Sequence, residues 1–287
     1  MTKFTANYIG FSSSLSDDTR KTGNKGIWSL SQQFFYNVRN NWLGSFISAR
    51  GGTETFLTGN DGVSYKMHTY TSPGPFNIIS ASGTVEVYIE AVGGGGAGGG
   101  AYGAISAGGS GGAGGGVYAK WDVTTASPFT ISVGDAGTPQ PGPSTRGSPG
   151  GPGGPTSIIG PGSQTIMNCG GGGGGGGGGG YGAPVAGGGA GGGVSVGPEV
   201  TTSIEVTSRS GTPAALGSGS GAPPAFNVVN GVGINTSSNL LYPVPSPITQ
   251  LSRGGGAGQS SGANGSPGTA GHLRIFYRTD SINPQNN

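Results

Sequence analysis

The chain has little charge, one cysteine and two histidines, and these shortages exclude several classes of protein. Only 8% of its 287 residues are Asp, Glu, Lys or Arg, and the net charge is +2. A nucleic-acid-binding surface needs a dense basic face, so nucleic acid is not expected as a partner. The single cysteine, Cys169, excludes an internal disulfide, and we expect it to be a small buried residue.

Long apolar runs are also missing. The first residues lack the apolar core of about 7–15 residues that marks a secretory signal. Nowhere is there an apolar stretch of about 18 residues that could span a bilayer. We therefore expect no targeting segment and no membrane insertion.

Few residues are suited to catalysis or metal binding. His68 and His272 each lie in an alternating strand pattern, where a packed or solvent-facing ring is expected. Neither histidine shares a metal-ligand spacing with Cys169 or a carboxylate. Glu86 and Glu90 share one face of a predicted strand, where paired carboxylates more often solvate the exposed side than hydrolyse glycosides.

Two familiar motifs occur here by chance. G-x-S-x-G is present at 108–112 and 258–262, but the flanking chain is glycine-rich instead of the strand and helix that a nucleophile elbow requires. G-x-G-x-x-G recurs without the following helix that would bind a pyrophosphate. We therefore predict no enzymatic activity, no cofactor and no metal.

Glycine is what the chain has in excess, with 68 residues and an unbroken run of eleven at 170–180. Each ordered residue costs roughly 1–2 kcal/mol of backbone entropy, so an ordered run needs regular partners. The polyglycine form of the polyproline-II helix has no internal hydrogen bonds and pairs with neighbouring chains that lack side chains. Such neighbours occur at 93–100, 108–116, 187–193 and 254–265. A rigid bundle is predicted.

Alternating apolar and polar residues predict strands beside the glycine-rich segments. In 85–91, for example, Val85, Val87, Ile89 and Ala91 share one face. Further strands are predicted at 63–70, 117–123, 129–133, 164–169, 204–206 and 273–277. The predicted fold class is mainly β: an antiparallel β-sandwich that clamps a bundle of polyglycine-II helices, with a small N-terminal attachment segment.

The first 50 residues differ in composition from the rest. They carry a net charge of +4, whereas the remainder carries −2. They also contain the aromatic residues that we assign to attachment, namely Trp28, Phe34, Phe35 and Trp42. Such a segment is too small to build much of a core alone. We predict an attachment or oligomerisation segment at 1–50, a glycine-rich domain at 51–278 and a polar tail at 279–287.

Four motifs follow one another in the predicted domain. They are G-G-T-E-T at 51–55, D-G-V-S-Y-K-M-H-T-Y at 61–70, the strand at 85–92 that leads into four glycines, and G-T-A-G-H-L-R-I-F-Y at 268–277. In this order they resemble the glycine-rich domain of bacteriophage tail-fibre and virion-surface proteins, especially of marine and cyanobacterial phages. Upstream, G-I-W-S-L-S at 26–31 with Asn41 and Trp42 is similar to a short segment of the same proteins.

More distantly, the chain resembles the distal adhesins of T-even-type tail fibres, in which variable loops between polyglycine helices contact host receptors. The resemblance implies a virion protein on the phage tail or fibre. Its implied partners are other virion proteins, further copies of itself, with a trimer expected, and a polysaccharide or outer-membrane protein of the host surface. The alternative is a structural or decoration protein of the tail or capsid without receptor contact.

Candidate receptor-contact residues lie in loops between the glycine-rich segments. They are Tyr102, Tyr181, Phe226, Leu241, Tyr242, Pro243 and Val244. The loop at 240–248 is the strongest candidate, because its three prolines lower the entropic cost of ordering its apolar and aromatic groups. The alternative is that these residues cover edges of the bundle or pack against another copy.

Overall fold

The computed structural model describes nine stretches of the chain, which are 8–9, 27–28, 46–59, 62–101, 108–123, 128–139, 147–179, 187–206 and 265–278. Strands and extended glycine-rich chain make up nearly all of these residues. The helical element within them is a single 3-10 turn at Pro161–Ser163. The predicted mainly β, antiparallel fold class is confirmed at this level.

The strands form two large sheets and one small one. Their bounds are β1 Tyr8–Ile9, β2 Ile27–Trp28, β3 Phe46–Arg50, β4 Thr53–Thr58, β5 Ser64–Tyr70, β6 Gly74–Ser82, β7 Val85–Val92, β8 Gly116–Val123, β9 Pro128–Ser132, β10 Thr156–Ile159, β11 Thr165–Cys169, β12 Val194–Val196, β13 Val200–Val206 and β14 His272–Arg278. Sheet I has the order β12-β11-β10-β9-β6-β3, sheet II has the order β13-β8-β7-β14-β5-β4, and β1 pairs with β2. Every pairing is antiparallel.

Sheets I and II share one apolar core. Alternation places Val85, Val87, Ile89 and Ala91 of β7 in this core, as predicted. The opposing side chains of sheet I include Ile47, Phe76, Phe129, Ile131, Ile158 and Ile166. Trp121 of β8 meets Phe129 of β9 edge-on, with ring centroids 4.8 Å apart. Each large apolar side chain buried here stabilises the fold by about 1.5–3 kcal/mol, so the shared core holds the two sheets together.

The strands found by alternation agree with the structure, and three of those missed are short or contain residues that disfavour strands. Each of the seven predicted strands overlaps a strand of the structure. β10 and β12 are only 4 and 3 residues long, which is too short to show a period of two. β6 begins with Gly74 and Pro75, two residues that usually argue against a strand.

Seven glycine-rich segments adjoin the ends of these strands. They are segment 1 (93–101, after β7), segment 2 (108–115, before β8), segment 3 (134–139, after β9), segment 4 (147–155, before β10), segment 5 (170–179, after β11), segment 6 (187–193, before β12) and segment 7 (265–271, before β14). Because neighbouring strands run antiparallel, all seven junctions lie at the same end of the sheets. The predicted glycine-rich stretch at 254–265 lies outside the described residues except for Gly265.

Segment 1 donates its backbone N–H groups in rotation to three neighbours. The acceptors belong to segment 2 for Gly93, Gly96 and Gly99, to segment 4 for Gly94, Ala97 and Gly100, and to segment 7 for Gly95 and Gly98. The N···O distances lie between 2.8 and 2.9 Å, which is ideal for this type of bond. Carbonyls of segment 1 accept from segments 5 and 3. Segment 1 is therefore bonded to five other segments.

Segment 5 contains most of the eleven-glycine run, and its hydrogen-bond partners also repeat every three residues. Its N–H groups at 170, 173 and 176 donate to segment 6, and those at 172, 175 and 178 donate to segment 1. Carbonyls of these same residues accept from segments 2 and 4. The backbone groups of Gly171, Gly174 and Gly177 make no hydrogen bond within the described part of the chain.

Close approach of neighbouring backbones explains why the run contains only glycine. A Cβ at Gly171, Gly174 or Gly177 would overlap a carbonyl oxygen of segment 4. A Cβ at Gly172 or Gly175 would overlap a carbonyl oxygen of segment 2. None of these glycines has a positive φ, so the requirement for glycine is one of space and not of backbone conformation.

Prolines occupy the third position of segment 4, where no hydrogen bond is lost. The N–H groups at 147, 150 and 153 donate to segment 5, and those at 151 and 154 donate to segment 3. Pro149, Pro152 and Pro155 fall at the remaining position and are exposed. Because proline has no N–H, it fits where the backbone would have pointed a donor at solvent.

Adding one methyl group tests this packing. Gly96→Ala should lower the free energy of unfolding by about 1–3 kcal/mol or more, because its Cβ would overlap the Gly173 carbonyl oxygen. Gly193→Ala is the matched control, because nothing lies within 4 Å of the added Cβ. It should be neutral or stabilising by about 0.4–1 kcal/mol. Chemical denaturation checks both, and equal effects would contradict the close packing.

Candidate functional site

The ends of the glycine segments that lie away from the sheets meet in one place. Gly100 donates to Ser148 and accepts from Gly178, which also accepts from Gly147. The same end contains the bonded pairs Gly99–Gly109, Gly176–Gly187 and Gly98–Ser266. We call this the distal end of the bundle. Residues of segments 1, 2, 4, 5, 6 and 7 are therefore close together there.

Four connections of the chain start or finish near the distal end. Residues 102–107 join segments 1 and 2, residues 140–146 join segments 3 and 4, and residues 180–186 join segments 5 and 6. Residues 207–264 run from β13 to segment 7 and so reach the distal end at Gly265. The topology thus brings the anchor points of four connections to one end of the bundle.

The sequence-predicted contact residues all fall in these connections, outside the described residues. Tyr102 and Tyr181 belong to the first and third connections, and Phe226, Leu241, Tyr242, Pro243 and Val244 belong to the fourth. Phe34, Phe35 and Trp42 of the predicted attachment segment also lie outside the described part. Trp28 pairs with Tyr8 between β2 and β1, and only its backbone is described. The roles of all these residues stay predictions.

Glu90 is buried, so the expectation that it would solvate an exposed strand face is wrong. Its side chain is 2% exposed. The Tyr118 hydroxyl donates to Glu90 Oε1 at 3.0 Å, and Arg274 Nη1 lies 3.4 Å from Glu90 Oε2. Both partners sit directly opposite Glu90 on the flanking strands β8 and β14. A buried carboxylate is tolerated because these neighbours supply a hydrogen bond and a positive charge.

His272 extends this polar network along β14. Arg274 Nε donates to His272 Nε2 at 2.9 Å, so the imidazole accepts a hydrogen bond and is held neutral. Burial, together with the neighbouring positive charge of Arg274, lowers the pKa of His272 to about 4.

His68 occupies the core between the sheets with both ring nitrogens in contact with protein atoms. Nδ1 lies 2.8 Å from the Gly51 carbonyl oxygen, and Nε2 lies 3.1 Å from the Tyr277 hydroxyl. Burial lowers the pKa of His68, and the Gly51 carbonyl and the Glu54 charge oppose that shift only in part. The rings of both histidines are therefore packed, which was one of the two environments expected for them.

A salt bridge lies beside His68. Lys66 Nζ is 2.9 Å from Glu54 Oε2 and donates to the Ala49 carbonyl at 3.3 Å. Burial alone would raise the pKa of Glu54, but the hydrogen bond and charge of Lys66 outweigh it and lower the pKa. The ion pair thus links β4 to β5 of sheet II, and the hydrogen bond from Lys66 links them to β3 of sheet I.

Thr156 ties the sheets to the glycine bundle, and sequence reasoning missed it. Its Oγ1 accepts from the Gly134 N–H at 3.0 Å and donates to the Val92 carbonyl at 2.7 Å. It therefore links β10 to segment 3 and to the last residue of β7.

Cys169 precedes segment 5, with Sγ 3.6 Å from the Ala91 carbonyl oxygen, and is buried as predicted. The role of Thr156, by contrast, could not be predicted. A single threonine between Pro155 and Ser157 has no sequence signal for this role.

Within the described stretches, no group of three or more His, Cys, Asp or Glu side chains is arranged to hold a metal ion. No helix in that part of the chain is long and apolar enough to cross a membrane. No protein-family model matches the sequence, and no curated protein matches it.

The pKa of His272 predicts a pH-dependent stability. In the unfolded chain its ordinary value is 6.5, so the unfolded state binds a proton before the folded state does. The contribution of His272 to the free energy of unfolding should therefore be greatest above pH 6.5 and fall by about 3 kcal/mol as the pH drops to 4. His272→Gln keeps an acceptor for Arg274 and should flatten this fall in urea titrations at several pH values. An identical profile in both proteins would contradict the assignment.

Removing the Thr156 hydroxyl should destabilise the junction. Thr156→Val keeps the shape of the side chain but leaves the Gly134 N–H without an acceptor, which costs about 1–3 kcal/mol. Thr156→Ser is the control, because it keeps the hydroxyl. Thermal unfolding should separate the two variants, with Thr156→Ser much closer to wild type. If both lose the same stability, the hydroxyl is not the linking group.

Proposed function

We propose that the chain is a non-enzymatic surface protein of a bacteriophage virion, in a tail fibre or spike, that holds host-binding loops on a rigid glycine bundle. The observation that carries this proposal is the meeting of four chain connections at the distal end, away from the two sheets. The resemblance of the motifs at 51–70, 85–96 and 268–277 to phage tail-fibre proteins supplies the biological setting.

We infer that the seven glycine segments are polyglycine-II helices. Such a helix has three residues per turn, so the N–H groups of successive residues point in three directions. The rotation of donors in segment 1 among segments 2, 4 and 7 supports this geometry. With a rise of about 3.1 Å per residue, the nine residues of segment 1 would span roughly 28 Å.

The bonding between neighbours supports a hexagonal packing of these helices. Segment 1 is bonded to segments 2, 5, 4, 3 and 7, and successive members of this series are also bonded to one another. A central helix surrounded by a ring of mutually bonded helices gives this pattern. The sheets would then form a β-sandwich that clamps one end of the bundle, while the distal end projects away from it.

Such a scaffold suits the display of variable loops. Its cohesion comes from backbone hydrogen bonds and from a core inside the sheets, so the connecting segments need not pack in the core. Loops that are anchored on a rigid element keep well-defined positions. Their side chains can vary in sequence to match a partner. The proposed ligand is a host-surface polysaccharide or outer-membrane protein, contacted first by Leu241, Tyr242, Pro243 and Val244.

Adsorption competition tests the function. Host cells incubated with the purified protein should bind phage more slowly than untreated cells. Replacement of 241–244 by Gly and Ser should abolish the effect. The control variant combines Pro161→Ser with Ser163→Gly in the exposed 3-10 turn between β10 and β11, which lies at the end of sheet I away from the bundle. It should compete as well as wild type.

The possible outcomes separate receptor binding from its alternative. If the folded protein does not slow adsorption at any concentration, receptor binding is wrong, and a structural or decoration role that uses only the stiffness of the bundle replaces it. If both variants lose competition equally, the site is not at 241–244.

A further inference from the structure

One of the two outer strands of sheet II, β4, differs from both edges of sheet I. Five of its six residues are exposed and Leu57 is half-buried. At the corresponding edge of sheet I, Ile47, Ser48 and Ala49 of β3 are buried, and the Ala49 carbonyl accepts a hydrogen bond from Lys66. The opposite edge of sheet I, β12, has only three residues. Compared with these two edges of sheet I, β4 is longer and its side chains are more exposed.

β4 also lacks the features that normally prevent edge strands from pairing with other chains. Its pairing with β5 runs without a bulge from Thr53 opposite Thr69 to Thr58 opposite Ser64. The sequence T-E-T-F-L-T contains no proline and no lysine and consists mostly of residues that favour strands. Among the described residues, its backbone groups make no hydrogen bond on the side away from β5.

Phe56 adds an apolar anchor to this edge. Its side chain is 64% exposed, and the other large apolar side chain exposed within the described residues is Ile79, at 52%, on β6. The single charge on β4, Glu54, is already neutralised by Lys66 of the same chain. An approaching strand therefore meets free backbone groups and an aromatic ring without an uncompensated charge.

We propose that β4 pairs with β4 of a second copy of this chain, antiparallel and around a two-fold axis. The row of free N–H and C=O groups fits only another extended chain, and an identical antiparallel strand is complementary to it. Residues that face each other must lie on the same sheet face, so the central register places either Thr55 or Phe56 opposite itself. In neither register does Glu54 face Glu54, so like charges do not oppose the pairing.

This contact makes one continuous sheet from the two copies of sheet II. It is closed, because each copy uses its β4 edge once and leaves no equivalent edge free. It therefore predicts pairs of chains, whereas the sequence-based expectation was a trimer. The proposal does not depend on receptor binding, since β4 belongs to the sheets and not to the distal end.

Cysteine cross-linking tests the contact directly. The native Cys169 is fully buried and does not compete. In an antiparallel pair, facing residues have Cα atoms about 4.5–5.5 Å apart, which lies within the range for a disulfide. Under mild oxidation, one of the variants Thr55→Cys and Phe56→Cys should form a covalent dimer. Ile79→Cys, equally accessible but on sheet I, should remain a single chain.

A measurement of mass completes the test. Light scattering of the wild type should give twice the chain mass of 27.8 kDa. Phe56→Lys should shift the protein to single chains without changing its circular dichroism, and Ile79→Lys should leave it paired. A wild-type mass of one chain overturns the proposal and would leave an extended segment of another protein as the occupant. Failure of both β4 cysteines to cross-link, or equal cross-linking of Ile79→Cys, also overturns it.

Discussion

The structure depends on hydrogen bonds between backbones that approach too closely for side chains. A Cβ at Gly96 or Gly99 would overlap a carbonyl oxygen of segment 5, and a Cβ at Gly172 would overlap one of segment 2. Glycine is entropically costly to order, and this cost is offset by hydrogen bonds from each segment to its neighbours, which number five for segment 1. The composition of the chain, rich in glycine and poor in charge, is therefore what a backbone-bonded interior requires.

The two sheets supply what the glycine segments lack. The glycine segments have too few side chains to form a hydrophobic core of their own. The chain continues from them into the strands of sheets I and II, where Trp121, Phe129 and their neighbours bury apolar surface. Thr156 and the pairing of β7, β11 and β14 with their neighbours fix the ends of segments 1, 5 and 7 that adjoin the sheets. Buried polar groups such as Glu90 and His68 are held by partners on adjacent strands, Tyr118 and Tyr277 respectively, and so belong to the framework that fixes this register.

The sequence predicted those parts of the fold whose signal is local. Alternation found β5, β7, β8 and β14, and runs of glycine interrupted at most by Ala or Ser found segments 1, 2, 5 and 6. Segments 3, 4 and 7 were missed because other residues, such as Pro152 and Pro267, separate their glycines. The burial of Glu90 was missed because its partners, Tyr118 and Arg274, are distant in sequence and meet it only through strand pairing. For the candidate site, the sequence predicted contact residues in the loops. The structure shows that the chain enters or leaves these loops near the distal end of the bundle.

Amide hydrogen exchange along segment 5, resolved residue by residue by NMR, tests the central claim most directly. In a bonded bundle, protection should follow a period of three. The amides of Gly172, Gly175 and Gly178, which donate to segment 1, should be strongly protected, as should those at 170, 173 and 176. Those of Gly171, Gly174 and Gly177, which have no acceptor in the described part of the chain, should exchange rapidly. Rapid and uniform exchange along the whole run would show that it is a flexible tether and would contradict the account.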